Sequence, residues 1–251
     1  MAPTLAIIYG TRGGLSDVGK LVVLHASVMA GVTVQPVAVY DGRDEADVAS
    51  RPGHEADVTE AGLNVVLVEA LRKANAPVVD VHSDATDAAL EAAIRGADAV
   101  VCAFSSRQPD RPRYLTIGML KVVKAMQACR VSRLVVLSSF GIGDDFMPLS
   151  PIKVLWACFL NTINNAAKRD LITYEAVVEA SGLDYAILRP MGLTPTEPSV
   201  GKYTMRTAPK QGGLQLSIAK SDMALCCVQE ALAPTLHRAA ATVGAEPPGK
   251  K

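Results

Sequence analysis

The chain of 251 residues carries 25 lysine and arginine residues against 25 aspartate and glutamate residues, so its formal net charge at pH 7 is +0. This balance leaves no broad basic surface, which argues against nucleic acid or an anionic membrane as a partner and favours a small molecule. The length suffices for one large α/β domain. No apolar run reaches the roughly 18 residues that a membrane-spanning helix needs.

The cysteines and histidines indicate a reducing compartment and no metal. The five cysteines lie mostly in apolar segments without Cys-x-x-Cys spacing, which predicts buried, reduced thiols. They are Cys102, Cys129, Cys158, Cys226 and Cys227. The four histidines are scattered without ligand spacing, so no metal site is predicted. Because the N-terminus shows no targeting segment, we expect a cytoplasmic protein.

The first predicted element is a strand at residues 4–9, a short apolar and β-branched run typical of a parallel sheet. A glycine-rich turn follows at once, and a helix is predicted over residues 20–30. Glycines in such a turn let the backbone approach a pyrophosphate, while the helix N-terminus supplies unpaired N–H groups and the positive end of a dipole. The stretch predicts a dinucleotide site, and an ordinary βα turn is the alternative.

The glycine pattern departs from the dinucleotide fingerprint. Gly10 and Gly13 match the first two positions of Gly-x-x-Gly-x-x-Gly. Ser16 holds the third position, where a glycine normally lets the helix pack closely on the strand. Gly14 and Gly19 are additional glycines, which predicts a loop about three residues longer than usual.

Strands and helices then alternate along the chain. Further strands are predicted at residues 32–39, 77–81, 97–104, 133–138 and 183–188, and further helices at 64–75, 88–95, 113–128, 168–180 and 222–231. This alternation predicts an α/β, Rossmann-like fold with a doubly wound, mostly parallel sheet and helices on both faces. Right-handed crossovers place the carboxyl ends of the strands at one edge, where ligands bind.

Some segments lie outside this alternation. Residues 41–62, from Asp41 to Gly62, are polar and form either a mobile loop or a lid over the adenosine end of a cofactor. The segment of residues 146–160, from Phe146 to Leu160, is apolar and contains Trp156. It predicts a core helix, a cover over the substrate or a surface for a protein partner. Residues 1–238 form one predicted domain with a small substrate-side region at about 190–232, and residues 239–251 are predicted to be a disordered tail.

Five short stretches, in the same order, resemble the atypical short-chain dehydrogenase/reductase superfamily. They are the glycine turn, GADAVV at 96–101, LSSFG at 137–141, Glu175 with ASGLDYAILRP at 180–190, and IAKSDMA at 218–224. Within that superfamily the chain is most similar to the NAD(P)H-binding branch that contains biliverdin reductase B, flavin reductases and NmrA-like proteins. The resemblance covers residues 4–232.

The resemblance assigns the residues of a cofactor site one by one. They are Gly10, Thr11, Arg12, Gly13, Gly14 and Leu15 in the pyrophosphate turn, Asp84 and Ala85 on the adenine side, Ala103, Phe104 and Ser105 after the fourth predicted strand, Ser138 after the fifth, and Pro190, Met191 and Gly192 after the sixth. Ser139 would help to orient the acceptor, and Phe140 and Trp156 would lie on the substrate side. Capping of a strand end is the alternative role for the two serines.

The proton donor differs from that of many relatives. Members of the wider superfamily use Tyr-x-x-x-Lys, in which the lysine lowers the tyrosine pKa. Here Leu149 stands four residues before Lys153, and Tyr174 has no lysine four residues later. Biliverdin and flavin reductases of this branch also lack the tyrosine, since their electron-poor acceptors can take hydride with protons from solvent.

The resemblance therefore implies an NAD(P)H-dependent reductase that passes hydride to a planar conjugated acceptor such as a flavin, quinone or tetrapyrrole. The alternative is a non-catalytic NAD(P)-binding redox sensor or scaffold of the NmrA-like type, with a protein partner at residues 146–160. A degenerate fold that binds no nucleotide is the third possibility.

The residues predicted around the cofactor support opposite choices between NAD(H) and NADP(H). Asp41, after the second strand, could hold both ribose hydroxyls and favour NAD(H), whereas Arg12 and Arg43 could pair with the 2′-phosphate of NADP(H). Two arginines against one aspartate predict a slight preference for NADP(H). Asp17 would bring a negative charge close to a phosphate.

Overall fold

The computed structural model describes residues 2–10, 15–42, 76–103, 113–142, 165–195, 199–207 and 215–246. The strands are β1 (Thr4–Gly10), β2 (Thr33–Tyr40), β3 (Val78–Asp80), β4 (Ala99–Ala103), β5 (Arg133–Leu137), β6 (Asp184–Pro190), β7 (Leu193–Thr194), β8 (Tyr203–Arg206), β9 (Ile218–Ala219) and β10 (Ala239–Ala245). The helices are α1 (Leu15–Val28), α2 (Ala85–Ile94), α3 (Tyr114–Cys129), α4 (Asn165–Ala180) and α5 (Lys220–Leu232).

Eight of these strands form one sheet in the order β3-β2-β1-β4-β5-β6-β10-β8. The strands from β3 to β10 in this order are parallel to their neighbours, and β8 pairs antiparallel with β10. A separate parallel pair joins β7 and β9. The described residues therefore confirm the predicted Rossmann-like, doubly wound and mostly parallel sheet.

The central strands are apolar along their whole length because both faces of the sheet are covered. In β1 the side chains of Leu5 and Ile7 pack on the face that carries α1 and α5. Ala6 and Ile8 pack on the opposite face, which carries α2, α3 and α4. A continuous apolar run is what a parallel strand buried on both faces requires.

The C-terminal strand β10 overturns one prediction. Residues 239–251 were expected to form a disordered tail, but β10 pairs with β6 on one side and with β8 on the other. Ala241, Thr242 and Val243 are at most 1% exposed, so this strand belongs to the core and the domain continues beyond residue 238. Its composition of alanine, glycine, threonine and valine lacks the bulky residues that mark a strand in sequence. Residues 247–251 lie outside the described part.

A buried carboxylate joins α3 and α4. The residue before α3, Arg113, has a left-handed backbone (φ 86°) and provides no side-chain cap. Asp170 of α4 instead accepts hydrogen bonds from the backbone N–H groups of Leu115 (2.9 Å) and Thr116 (3.1 Å) and from the Thr116 hydroxyl (2.5 Å). The first turn of a helix has unpaired N–H groups, so Asp170 caps α3 from a neighbouring helix.

Two buried arginines connect helices to the sheet. Arg189, next to the end of β6, forms a two-point contact with Glu175 of α4, with N–O distances of 3.1 and 2.6 Å. Arg133, the first residue of β5, donates to Glu230 of α5 at 2.8 Å. Paired guanidinium and carboxylate groups of this geometry are costly to separate once they are buried.

The four described cysteines are free thiols. Cys102, Cys226 and Cys227 are buried, and burial raises the pKa of the Cys227 thiol to about 12. These thiols are therefore protonated and unreactive at neutral pH, as predicted for buried reduced cysteines. Cys158 lies outside the described residues. Within the described ranges, no helix combines the length and the apolar character that crossing a membrane requires.

The position of β10 predicts different outcomes for two truncations. A chain that stops after Arg238 loses the strand between β6 and β8, and we expect its free energy of unfolding to fall by more than about 5 kcal/mol, a large share of a domain's stability. A chain that stops after Glu246 keeps β10 and serves as the matched control. Thermal denaturation followed by circular dichroism measures the effect. Cooperative unfolding of the shorter chain at the temperature of the full chain would contradict a structural role for β10.

Candidate dinucleotide-binding site

The site lies where the strand order of the sheet reverses. β1 lies between β2 and β4, and the chain leaves β1 for α1 on one face and β4 for α3 on the other. The helices therefore diverge at the carboxyl edge and open a crevice, which is where α/β sheets of this kind bind ligands. Gly10 ends β1 at this edge and Ala103 ends β4 beside it, and both are buried.

The closest approach of α1 to the sheet occurs at Gly19. A Cβ atom at this position would lie 2.5 Å from the Tyr9 Cβ and 2.8 Å from the Ala103 carbonyl oxygen. The fingerprint assigned this packing role to position 16, and Gly19 was interpreted as an additional glycine. The structure places the close contact three positions later, inside α1, which begins at Leu15 and not at the predicted residue 20. The prediction of a longer loop before the helix is therefore wrong, and Gly19 takes the packing role because it lies on the first turns of α1 that face the sheet.

The charge of Asp17 is compensated. Its carboxylate, in the first turn of α1, lies 2.7 Å from the Lys220 Nζ at the start of α5 and 3.9 Å from the Lys20 Nζ. Two ammonium groups and one carboxylate leave a net positive charge of one at this corner of the site. The expected unfavourable charge near a phosphate is therefore offset. No sequence motif marked Lys220 as a partner of Asp17, although this lysine stands in the IAKSDMA stretch.

The adenosine end contains Asp41 and the start of α2. Asp41 follows β2 and is 6% exposed, and its Oδ1 atom lies 3.0 Å from the Nε2 atom of His82. Asp84 and Ala85 are exposed at the N-terminus of α2, and the Asp84 side chain makes no capping hydrogen bond. The predicted acidic position is thus at the surface, at the beginning of a helix, with its carboxylate not used for a cap.

Two serines follow β5 at the same edge. Ser138 is fully buried, and its Oγ atom has no hydrogen-bond partner among the described residues. The backbone N–H of Ser138 donates to the Leu188 carbonyl at 2.9 Å, which continues the pairing of β5 with β6. Among the described residues, the Ser139 hydroxyl makes one long contact, of 3.4 Å, with the Phe140 carbonyl oxygen. A buried hydroxyl without a partner is costly unless a ligand supplies one.

The segment after β6 is held by three backbone contacts. The Phe140 N–H donates to the Pro190 carbonyl at 3.1 Å, and the Met191 N–H donates to the Val243 carbonyl at 3.1 Å. The Gly192 carbonyl accepts from the Ile218 N–H at 2.7 Å. A Cβ atom at Gly192 would lie 2.9 Å from the Leu216 carbonyl oxygen, so only glycine fits this position without movement. The segment is therefore fixed between β5, β9 and β10.

Asp222, near the start of α5, fixes the chain above this segment. Its Oδ1 atom accepts hydrogen bonds from the Ser199 hydroxyl at 2.6 Å and from the backbone N–H groups of Val200 and Gly201, both at 2.9 Å. The carboxylate is buried, and these donors compensate its desolvation. The aspartate of the IAKSDMA stretch thus organises the predicted substrate-side region.

Four of the six tyrosines lie in environments opposite to that of an activated acid. All six tyrosines lie in the described residues. Burial raises the pKa of Tyr9, Tyr174, Tyr185 and Tyr203 above the ordinary value, which is the opposite of the lowering that a Tyr-x-x-x-Lys pair provides. None of these four phenols therefore replaces the tyrosine of the missing Tyr-x-x-x-Lys pair.

The remaining predicted site residues lie outside the described part. They are Thr11, Arg12, Gly13, Gly14, Arg43, Phe104, Ser105 and Trp156, with the side chain of Leu15. The predicted helix at 64–75, residues 43–62 of the predicted loop, and the apolar segment at 146–160 also lie outside it. The residues that are described fit a dinucleotide, because the crevice joins a close glycine contact, a compensated positive corner and a buried hydroxyl without a partner.

This geometry defines a Rossmann-type dinucleotide-binding protein. The chain belongs to the NAD(P)H-binding family, whose model matches residues 33–234. The match confirms the resemblance that the five motifs indicated. A comparison with curated proteins finds no significant match.

Solved structures share the fold at low sequence identity. A short-chain dehydrogenase/reductase from Veillonella parvula DSM 2008 has a TM-score of 0.66 and 15% identity, with 100% of both chains covered. A wide-type short-chain dehydrogenase/reductase from the same organism, in complex with NADP, has a TM-score of 0.64 and 17% identity over 99% of this chain and 96% of the other. ChuY, an anaerobillin reductase from Escherichia coli O157:H7, has a TM-score of 0.60 and 22% identity over 99% of each chain.

The contact at Gly19 predicts an unusual effect of alanine. Replacing an exposed glycine inside a helix by alanine stabilises a protein by about 1 kcal/mol, but here the added Cβ meets the backbone of β4. Because overpacking costs roughly 1–3 kcal/mol, Gly19→Ala is expected to lower the free energy of unfolding and to weaken cofactor binding. Ser27→Ala, at an exposed position of the same helix, is the control. Denaturant titration measures stability, and a stabilised Gly19→Ala variant would contradict the close packing.

Proposed function

We propose that this protein is an NAD(P)H-dependent oxidoreductase that transfers hydride to a planar conjugated acceptor of the flavin, quinone or tetrapyrrole type. The observation that carries the proposal is the pair of hydroxyls at Ser138 and Ser139 at the carboxyl edge of the sheet, in a chain that lacks the Tyr-x-x-x-Lys pair and in which burial raises the pKa of Tyr9 and Tyr174. Such a site can orient an acceptor but supplies no strong acid. It suits an acceptor that takes hydride without a proton from the enzyme.

Different residues of the chain would bind different parts of the cofactor. Gly10 ends β1 where the backbone can approach a pyrophosphate, and the N-terminus of α1 supplies N–H groups and a favourable dipole. Asp84 would lie at the adenine, and Met191 and Gly192 would close over the nicotinamide. When bound, the reduced nicotinamide supplies the hydride.

Ser139 is the residue that we assign to the acceptor. Its hydroxyl makes only a 3.4 Å contact with the Phe140 carbonyl, so it can turn toward a polar edge of a ligand at little cost. Phe140 and Trp156 would provide the apolar wall of the substrate side. Solvent supplies the proton that follows hydride transfer.

We extend the proposal to a preference for NADP(H) over NAD(H). Arg12 and Arg43 are available in the sequence for a 2′-phosphate. Asp41, which would favour the ribose hydroxyls of NAD(H), is one carboxylate against these two arginines. A structural neighbour from Veillonella parvula is a complex with NADP. The free thiols of the described residues support the cytoplasm as the compartment.

The acceptor class is part of this proposal, and the two serines without a Tyr-x-x-x-Lys pair support it. ChuY, which shares the fold, is an anaerobillin reductase, so anaerobillin-type acceptors belong in the assay panel. At 22% identity that likeness supports the fold, so the acceptor has to be found by assay.

Cofactor binding is tested first. We expect NADPH to change its nicotinamide fluorescence on titration with the purified protein and to bind more tightly than NADH. Gly13→Asp places a carboxylate in the pyrophosphate turn and should abolish the signal, because the negative charge and the side chain both oppose the phosphates. Ser27→Ala is the control. If neither cofactor binds, the proposed function is wrong.

Turnover is tested with a panel of flavins, quinones and linear tetrapyrroles. At least one should be reduced at the expense of NADPH above the uncatalysed rate. Loss of one hydrogen bond is worth about 1 kcal/mol, so Ser139→Ala should lower kcat/KM roughly fivefold while the NADPH dissociation constant stays unchanged. Binding of both cofactors without turnover of any acceptor would contradict the reductase and favour the sensor alternative.

A further inference from the structure

The proposed cofactor site contains a histidine that the motifs do not assign. His82 is the second residue after β3, and its side chain is 22% exposed. Its Nε2 atom lies 3.0 Å from Oδ1 of Asp41, the residue that follows the neighbouring strand β2. A carboxylate only accepts hydrogen bonds, so Nε2 carries the hydrogen. The other ring nitrogen, Nδ1, has no partner among the described residues.

The backbone around this pair is rigid. Asp80, the last residue of β3, accepts hydrogen bonds at Oδ1 from the backbone N–H groups of Gly42 and His82, both at 3.0 Å. A Cβ atom at Gly42 would overlap the Asp80 carboxylate, so a larger residue there would require this side chain to move and to give up these hydrogen bonds. The ends of β2 and β3 are thereby locked together, and the imidazole and the Asp41 carboxylate are held as a unit.

This unit stands at the adenosine end of the crevice. β2 and β1 pair with Val39 opposite Gly10, so Asp41 lies two residues beyond the level at which the pyrophosphate turn begins. In dinucleotide-binding folds, the side chain at the end of β2 meets the ribose 2′-position. That position distinguishes NAD(H), which carries a hydroxyl there, from NADP(H), which carries a phosphate.

We propose that His82, through its pair with Asp41, determines the choice between NADP(H) and NAD(H). With a neutral imidazole the pair carries one negative charge, which accepts from a ribose hydroxyl and repels a 2′-phosphate. With a protonated imidazole the pair is neutral, and Nδ1–H becomes a charged donor for the phosphate. This role rests on the proposed function, because it assigns a task within the same cofactor site.

The charged groups that the described residues place around His82 come from β2, β3 and α2. Asp41 and Asp80 are the carboxylates that contact it, from the ends of β2 and β3. On the α2 side Asp84 is exposed, and Asp87 is paired with Lys121 of α3 at 2.6 Å. These lysine contacts lower the pKa of Asp87, so this carboxylate stays ionised and compensated across the neutral range.

A second lysine completes this compensation. Lys124 of α3 lies 2.9 Å from the other oxygen of Asp87, and Lys121 also donates to the Ser83 carbonyl at 2.9 Å. The cluster of Asp87, Lys121 and Lys124 therefore stays ionised and compensated. Histidine side chains in general gain a proton between about pH 8 and 5, a range in which this cluster does not change.

The experiment compares dissociation constants for NADPH and NADH at pH 8 and pH 6. In the wild-type protein the ratio of the NADH constant to the NADPH constant is expected to rise about tenfold as the pH falls, because one charge near the phosphate changes. In His82→Gln the amide can still donate to Asp41 but cannot become charged. Its ratio should stay constant or fall, since a phosphate monoester itself gains a proton near pH 6.

His237 provides a matched control. Its Nδ1 atom lies 3.1 Å from both carboxylate oxygens of Asp184, the first residue of β6. This second imidazole–carboxylate pair therefore stands at the amino ends of the strands, away from the carboxyl edge that carries the proposed cofactor site. His237→Gln should keep the wild-type pH response. A circular dichroism melt of each variant shows that the fold is intact.

The outcomes separate the two proposals. A ratio that does not rise in the wild-type protein, or that rises equally in His82→Gln, would overturn the role of His82 while leaving cofactor binding in place. Failure of both cofactors to bind at either pH would remove the proposed function and this inference together. An independent variant, Asp41→Asn, should raise the preference for NADPH at pH 8, and an unchanged preference would also count against the pair.

Discussion

The close packing of α1 on the sheet at Gly19, which is possible because glycine has no side chain, is the constraint on which the rest of the site depends. α1 packs so close to β1 and β4 that a methyl group would overlap the Ala103 carbonyl. This contact fixes the N-terminus of α1 at the carboxyl edge of the sheet, where its N–H groups face the crevice. The position of the helix in turn brings Asp17 to Lys220, which connects the two helices on this face and leaves their corner positive. A single steric requirement thus sets both the shape and the charge of the pyrophosphate side.

The two ends of the crevice are held by different kinds of interaction. At the predicted adenosine end, hydrogen bonds to Asp80 join the strand ends and hold the His82–Asp41 pair beside them. At the other end, backbone hydrogen bonds around Met191 and Gly192 fix the chain against β9 and β10. Asp222 then holds the segment above them. The first end presents charged side chains, and the second presents a fixed backbone. This arrangement would suit recognition of the ribose 2′-position at the first end and orientation of the nicotinamide ring at the second.

Local patterns explain which features the sequence could predict. The apolar run of β1 and the helical spacing of α3 identified these elements, because burial on both faces of a sheet or on one face of a helix leaves a periodic trace. β10 left no such trace, since a strand of small residues between two others needs little bulk to be buried. The role of Gly19 could be found only with the start of α1 in view. The pairs of Asp41 with His82 and of Asp17 with Lys220 join residues 41 and 203 positions apart, and nothing local in either partner marks them.

The place of β10 in the sheet has a consequence during synthesis of the chain. β8 has its described pairing only with β10, and β6 pairs with β10 on its outer side, yet β10 is made after both. While the ribosome is still adding residues 239–245, the outer edge of β6 and the whole of β8 present unpaired backbone groups. Such edges pair readily with other chains. The nascent protein therefore passes through a stage in which its sheet is open on one side, and β10 closes that side last.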